Sequence, residues 1–418
     1  MFNPHATRRT ILKSAIAGVA IASASNAVVH ADLAAARPFP QHIRYTSGAI
    51  LPNHISQEEM DAAVKRHYDA WTTTYVRTDG GVGAWIDYDE SGATVSEAMG
   101  FAMVLAAYMG DKTNFDAFYT YVRAHPSEIG PNLMAWKQEL QDGMMVDVEG
   151  ADSATDGDLD IAYGLLLANA QWGSDGETDY LSGALAVMHD TLTYVVNPEL
   201  SSLMCGDWSG EESAHYTRSS DFMTGHMLAF AKADTENAAG WEAIHDTITQ
   251  AVNDVFVNEG EGSGLMPDFL EHTGERWRPV PGEWLETEHD GDLYWNACRT
   301  SWRTAMSWLT DGRGDVLGSQ QALCAWIQDA TDGDPRNIMS GYTIVTGELG
   351  QPIEDYSDLA FVAPFAVNAM TGGESAQEWL NTLWDSITGK DFEEVYWYFG
   401  DAIRMHVLLT ISGNWWIP

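Results

Sequence analysis

The chain has 418 residues, 45% of them hydrophobic and 11% aromatic, enough to build a sizeable core and too apolar for a disordered chain. Its 61 Asp and Glu face 21 Lys and Arg, giving a formal net charge of -40, and the acids are spread along the whole length. With no basic stripe to meet phosphates, nucleic acid is excluded as a partner, which leaves a surface kept soluble in high salt or one attracting a cationic polymer such as chitosan.

Export explains the first 31 residues better than folding does. Arg8 and Arg9 precede Thr10-Ile-Leu-Lys13 and a modest apolar stretch, and Val29-His30-Ala31 is a small-x-small cleavage point before Asp32. This pattern resembles a twin-arginine signal, which exports folded proteins; an ordinary secretory signal would change the route and not the extracellular destination. Residues 32–50 read as an N-terminal extension and 51–418 as one catalytic domain, because no proline-rich linker divides them. No later segment offers 18 unbroken apolar residues, so no membrane partner is expected after signal removal. A monomer is expected.

Apolar residues recur at three- and four-residue spacing near 56–77, 95–110, 114–125, 160–173, 179–195, 221–233, 241–257, 298–310, 316–330, 356–370, 376–387 and 398–412, predicting a helix in each. Ser56 opens the first, where its hydroxyl can cap the Glu58 and Glu59 amides. The run Asp160-Ile-Ala-Tyr-Gly-Leu-Leu-Leu-Ala-Asn169 is apolar nearly all round and suits an inner position, whereas 179–195 is more amphipathic and suits an outer one. Six antiparallel helix hairpins of this kind predict an all-α fold, an (α/α)6 toroid, with strand-like alternation confined to the connections. The long connections, 78–94, 126–159, 196–220 and 258–297, must build any groove at one end, and they hold Trp85, Trp136, Trp208, Trp277 and Trp284. Cys205, Cys298 and Cys324 are too few and too scattered for a disulfide scaffold, and the last two sit in apolar helical patterns as buried thiols. No zinc- or calcium-like spacing occurs, so neither a metal nor another cofactor is expected.

Three groups of carboxylates stand out by context. Glu97 lies at the first turn of an apolar helix, where Ser96 can act as cap and Val95, Met99 and Phe101 would desolvate the carboxyl. An ordinary acid answering the helix dipole would look the same. Asp156, Asp158 and Asp160 run directly into the most apolar helix, which points them at the barrel axis; a solvated loop or a metal site is the alternative. In the third group, Glu286-Thr-Glu288-His289-Asp290-Gly-Asp292-Leu-Tyr294-Trp295-Asn296, acids interleave with aromatics, as where sugar rings stack and their hydroxyls are bonded. Arg299 and Arg303 follow four residues apart on one helix face, placed to pair carboxylates or simply to hold helix ends.

These segments resemble glycoside hydrolase family 8, inverting enzymes on an (α/α)6 barrel that include endoglucanases, lichenases, xylanases and chitosanases. The resemblance runs from about residue 78 to the C-terminus through Ser96-Glu97-x-Met-Gly, Leu133-Met-Ala-Trp136-Lys137, Ala154-Thr-Asp-Gly-Asp-Leu-Asp-Ile-Ala-Tyr163, Ser220-Asp-Phe-Met223, Asn296-Ala-Cys-Arg299 and Ser412-Gly-Asn-Trp-Trp-Ile-Pro418. It implies that Glu97 is the general acid and that Asp156 holds the distorted sugar at the cleavage point. Two departures matter. The family usually has Gly-x-Gly-Tyr-Gly after the acid, where this chain has Ala98-Met-Gly-Phe101-Ala102. Asn296 stands where one subfamily has its catalytic aspartate, and an amide cannot take a proton from water. A second subfamily resembles this chain in having Asn there and a loop glutamate as base, which maps onto Trp284-Leu285-Glu286, with Glu288 the local rival.

The resulting expectation is a secreted, salt-adapted, inverting endo-β-1,4-glucanase acting on cellulose-like or mixed-linkage glucan. Trp85, Trp136, Trp208, Tyr294, Asn296 and Arg299 are expected to contact this β-linked polysaccharide. A chitosanase of the same family is the alternative, and xylan is disfavoured by Asn296. A polysaccharide-binding protein that lost its chemistry is a further alternative, motivated by Ala98, Phe101 and Ala102.

Overall fold

The computed structural model describes residues 34–389 and 397–418; the expected signal segment lies outside them. In chain order the α-helices are α1 (Gln57–Tyr75), α2 (Ser96–Met109), α3 (Lys112–Ala124), α4 (Thr155–Trp172), α5 (Tyr180–Asp190), α6 (Thr224–Ala233), α7 (Ala238–Asn258), α8 (Thr300–Arg303), α9 (Met306–Asp311), α10 (Leu317–Ala330), α11 (Leu359–Ala369), α12 (Gln377–Thr388) and α13 (Tyr398–Ile411). Each predicted helical segment overlaps one of these, apart from 298–310, which is divided between α8 and α9.

Packing sorts them into two rings. Helices α2, α4, α6, the α8–α9 pair, α11 and α13 touch one another in that order, and α13 returns to α2 to close an inner ring. Every residue of α11 is buried, as are all but two of α4, because an inner helix meets protein on all sides. The outer helices alternate with them in sequence and bury one stripe; α1, for example, buries Met60, Val64, Tyr68, Trp71 and Tyr75. Ser56 accepts from the Glu59 amide at 3.3 Å and forms a full capping box. The chain is the expected (α/α)6 barrel.

Two boundaries differ from the sequence pattern. Helix α4 begins at Thr155, not near 160, because the Thr155 hydroxyl donates to the Met204 carbonyl at 2.6 Å and its amide to the Cys205 carbonyl at 3.2 Å. The run 298–310 is broken after Arg303. There the Thr224 hydroxyl donates to the carbonyls of Arg303 and Thr304 at 3.1 and 3.2 Å and accepts from the Ser307 amide at 3.3 Å, inserting into the helical ladder.

The two ends of the barrel are unlike. The connections α1–α2, α3–α4, α5–α6 and α7–α8 are long, carry the short strands and enter the inner helices at their N-termini. The opposite end is closed by the segment 34–50. Ala36, Ile43, Thr46 and Ile50 donate their amides to the carbonyls of Gln171, Gly413, Leu309 and Met370 at 2.9, 2.7, 2.9 and 3.2 Å. These carbonyls belong to the C-terminal ends of α4, α13, α9 and α11, where helices leave acceptors unsatisfied. The Arg37 guanidinium lies 4.6 Å from the Trp416 ring on the same end.

Candidate active site

The N-termini of the inner helices gather the chemistry. Helices α2 and α4 approach so closely there that a Cβ on Gly157 would lie 2.5 Å from the Ser96 backbone, which places Glu97 beside Asp156. Val95, not Ser96, is the N-cap of α2, and no side chain caps it; the Ser96 amide is taken by the Trp136 carbonyl at 2.9 Å.

Arg299 is the hub of the site. Its Nη1 donates to Glu97 Oε2 and, at 2.9 Å, to Asp156 Oδ2, while its Nη2 donates to Asn296 Oδ1 at 3.1 Å. Phe399 lies against the same guanidinium, its ring centroid 5.4 Å away. Asn296 turns its amide the other way, donating to Glu286 Oε2 at 3.0 Å and to Asp268 Oδ2 at 3.3 Å. Glu97 and Glu286 are therefore linked through Arg299 and Asn296, not to each other.

The environment separates the carboxyls electrostatically. Burial lifts Glu97 to about 7, with Arg299 pulling it down and Asp156 pushing it up. Burial also acts to raise Asp156, but Arg218 at 3.0 Å, Arg299 and the Gly157 amide hold it below the usual range. Asp221, bonded to Arg218 at 3.1 Å, is pushed by burial to about 7. Burial raises Asp268 to about 8 although it accepts from the amides of Tyr294, Asn296 and Ala297 at 2.9, 3.0 and 2.7 Å.

The other two acids of the second cluster are structural. Asp158 accepts from the Met134 amide at 2.9 Å, and burial holds it well above the carboxylate range. Asp160 is gripped by both terminal nitrogens of Arg303 and by His226 at 2.8 Å; these partners overcome burial and hold its carboxyl low. The cluster thus lies on the first turns of α4, with Asp156 and Asp160 on guanidinium groups and Asp158 on a backbone amide, and is not a solvated loop. Among the described residues no group of His, Cys, Asp and Glu is arranged to hold a metal ion.

The expected aromatics divide. Trp208 is 39% exposed, on a loop fixed by Asp207, which accepts from Ser127, Gly130 and Ser153 at 2.5, 3.0 and 2.8 Å. Trp136 is half-buried, its indole donating to the Glu149 carbonyl at 3.3 Å beneath the Lys137 ammonium. Tyr294 is half-buried and donates to Glu354 at 2.5 Å. Trp85 is a correction: it is 1% exposed, paired in a short strand with its indole on the Asp79 carbonyl, and can touch no substrate. Trp277 is buried in the same way. Trp284 stacks on Tyr216 at 4.3 Å and meets Phe269 edge-on, anchoring the loop that carries Glu286, whereas Leu285 is exposed. Glu288 has a side chain 78% exposed and directed toward His289.

Sequence reasoning missed Arg218, Asp268 and Phe399. Arg218 precedes the recognised Ser220-Asp-Phe-Met223 by two residues, and scarcity of cations was a usable cue; Asp268 had no local cue at all. Cys205, Cys298 and Cys324 are free and buried.

The family model for glycosyl hydrolases family 8 matches residues 39–412. A beta-glucanase of Niallia circulans is 39% identical over 389 residues, covering 91% of either chain. An endoglucanase of Bacillus sp. strain KSM-330 is 33% identical over 404 residues, covering 91% of this chain and 82% of its own. The apo structure of a beta-1,3-1,4-glucanase from Paenibacillus sp. X4 matches with a TM-score of 0.86 at 36% identity, covering 91% of this chain and 99% of that one. Fold, family model and relatives agree over nine-tenths of the chain: it belongs to glycosyl hydrolases family 8 and is a glycoside hydrolase.

Proposed function

We propose that the protein is an inverting endo-β-1,4-glucanase for cellulose-like or mixed-linkage glucan. Glu97 protonates the leaving oxygen, Glu286 deprotonates the attacking water, and Asp156 holds the sugar between them. The observation that carries this reading is the bridge of Arg299 and Asn296 that joins the two carboxyls and gives them different surroundings. One is raised to about 7 by burial and so keeps a proton to give. The other is held by Asn296 at 3.0 Å, with Asn296 and Arg299 standing between them. Inverting enzymes keep the pair about 6.5–9.5 Å apart to admit water. Asn296, unable to act as base, serves as donor to the base. The relatives, a beta-glucanase, an endoglucanase and a beta-1,3-1,4-glucanase, favour glucan over chitosan.

Salt adaptation and export belong to the same proposal. The formal charge of -40, with the acids spread along the whole chain, supports the first. Arg8-Arg9 and the following apolar stretch support twin-arginine export.

The test is hydrolysis of lichenan, carboxymethylcellulose and chitosan side by side in high salt, with Glu97→Gln and Glu286→Gln proteins and NMR of the first-formed anomer. Both variants should lose activity by about 100-fold or more, leaving a small residual rate, and the anomer released by the parent should be inverted. Chitosan cleavage with neither glucan attacked overturns the substrate, and full activity in Glu286→Gln moves the base elsewhere.

A further inference from the structure

The loop that carries Glu286 leaves the strand Trp277–Pro279 and folds back on itself before Leu293. Gly282 passes so near the Glu288 backbone that a Cβ there would lie 2.2 Å from its carbonyl oxygen, and the Glu283 amide donates to the Thr287 carbonyl at 2.8 Å. Such a closed loop needs an interior of its own. Here the interior is a single carboxylate.

Asp290 is buried. Its Oδ2 accepts from the amides of Leu285 and Glu286 at 2.6 and 3.0 Å, and its Oδ1 accepts from the Thr287 amide at 2.8 Å. Three consecutive N–H groups converge on one anion, a charge-assisted nest. Asp290 is itself fixed to the scaffold through its backbone, whose carbonyl accepts from the Phe269 amide at 2.8 Å, in the strand Phe269–His272. Glu286 is thus held at both ends, its backbone by Asp290 and its carboxylate by Asn296.

We propose that Asp290 is a positioning residue for the base, setting where the Glu286 backbone stands and so where its carboxylate meets water. This rests on Glu286 being the base. An amide at position 290 would keep one accepting oxygen and turn an NH2 group toward a backbone N–H, so the nest would open. A base must lie within hydrogen-bond reach of its water, and a displacement of about 1 Å can lower the rate about 100-fold.

The test compares Asp290→Asn with the parent enzyme on lichenan and then places the substitution in a Glu286→Gln background. The expected result is a fall in kcat of about 30- to 100-fold with KM within about twofold. In the Glu286→Gln protein, assayed on residual activity at high enzyme concentration, the further loss should be less than about threefold, since residues acting as a unit are not additive. A folded Asp290→Asn protein with kcat within about threefold of the parent, or with KM rising in proportion to the loss, overturns the proposal, as does a full multiplicative loss in the Glu286→Gln background. If Asp290→Asn does not fold, Asp290→Glu keeps the charge while displacing the loop by one methylene; kcat should fall, and an unchanged kcat overturns the proposal. Full activity in Glu286→Gln alone is a distinct outcome, and refutes the base.

Discussion

Replacing Glu97 with glutamine tests the physics of the site through stability as well as rate. Burial raises the Glu97 carboxyl from 4.5 to about 7, so the folded protein binds this proton more tightly than the unfolded chain does. The favourable contribution is fully present below the unfolded value and is lost as pH rises through about 7. Above that, the wild type buries a carboxylate, whereas the Glu97→Gln protein buries a neutral amide. The pKa difference corresponds to about 3 kcal/mol. The stability of Glu97→Gln relative to wild type should therefore improve by about 3 kcal/mol between about pH 4 and about pH 8, about 4 °C in thermal midpoint for a protein of this size. Loss of the Arg299 partner offsets part of the absolute gain without cancelling the pH dependence, because Arg299 keeps Asp156 at 2.9 Å. Scanning calorimetry across that range measures the difference. Activity should fall by about 100- to 10,000-fold, the size of a general-acid contribution, and wild-type kcat/KM should decline above about pH 7. Parallel stability curves for the two proteins would refute the raised pKa, and retained activity would refute the role.

Arg299→Lys should lower kcat/KM by about 100-fold and stability by about 3 kcal/mol in urea titrations, because an ammonium cannot serve Glu97, Asp156 and Asn296 together. Trp208→Ala should raise KM about tenfold with kcat nearly unchanged, as loss of uniform ring stacking requires. Trp85→Ala, in contrast, should cost about 3–5 kcal/mol of stability through a core cavity, read by thermal denaturation. The thermal midpoint should rise as sodium chloride goes from about 0.1 M to about 1 M, since the screening length falls from about 10 Å to about 3 Å. A flat or falling midpoint would remove the salt-adaptation reading.

Local pattern alone was enough to find the helical segments and to suggest the ring they form, though not the start of α4 or the break after Arg303. The i, i+3, i+4 spacing is written within each segment, and a helix apolar on every side has to be an inner one. Glu97 and the loop of Glu286 stood out as candidates for a similar reason, each being an acid set against apolar or aromatic neighbours within a few residues, while the roles proposed for them came from the family resemblance. What folding alone could decide were contacts between distant positions. Arg299 meets Glu97 across 202 residues and Asp156 across 143, and no spacing rule reaches that far. Trp85 and Trp208 look alike in sequence, both sitting in long connections, yet strand pairing buries the first and an Asp207-anchored loop leaves the second exposed. The break after Arg303 depends on the hydroxyl of Thr224, about eighty positions away. Periodicity reports the face a helix must hide; which charge meets which, and which ring meets solvent, depends on chain closure around the barrel.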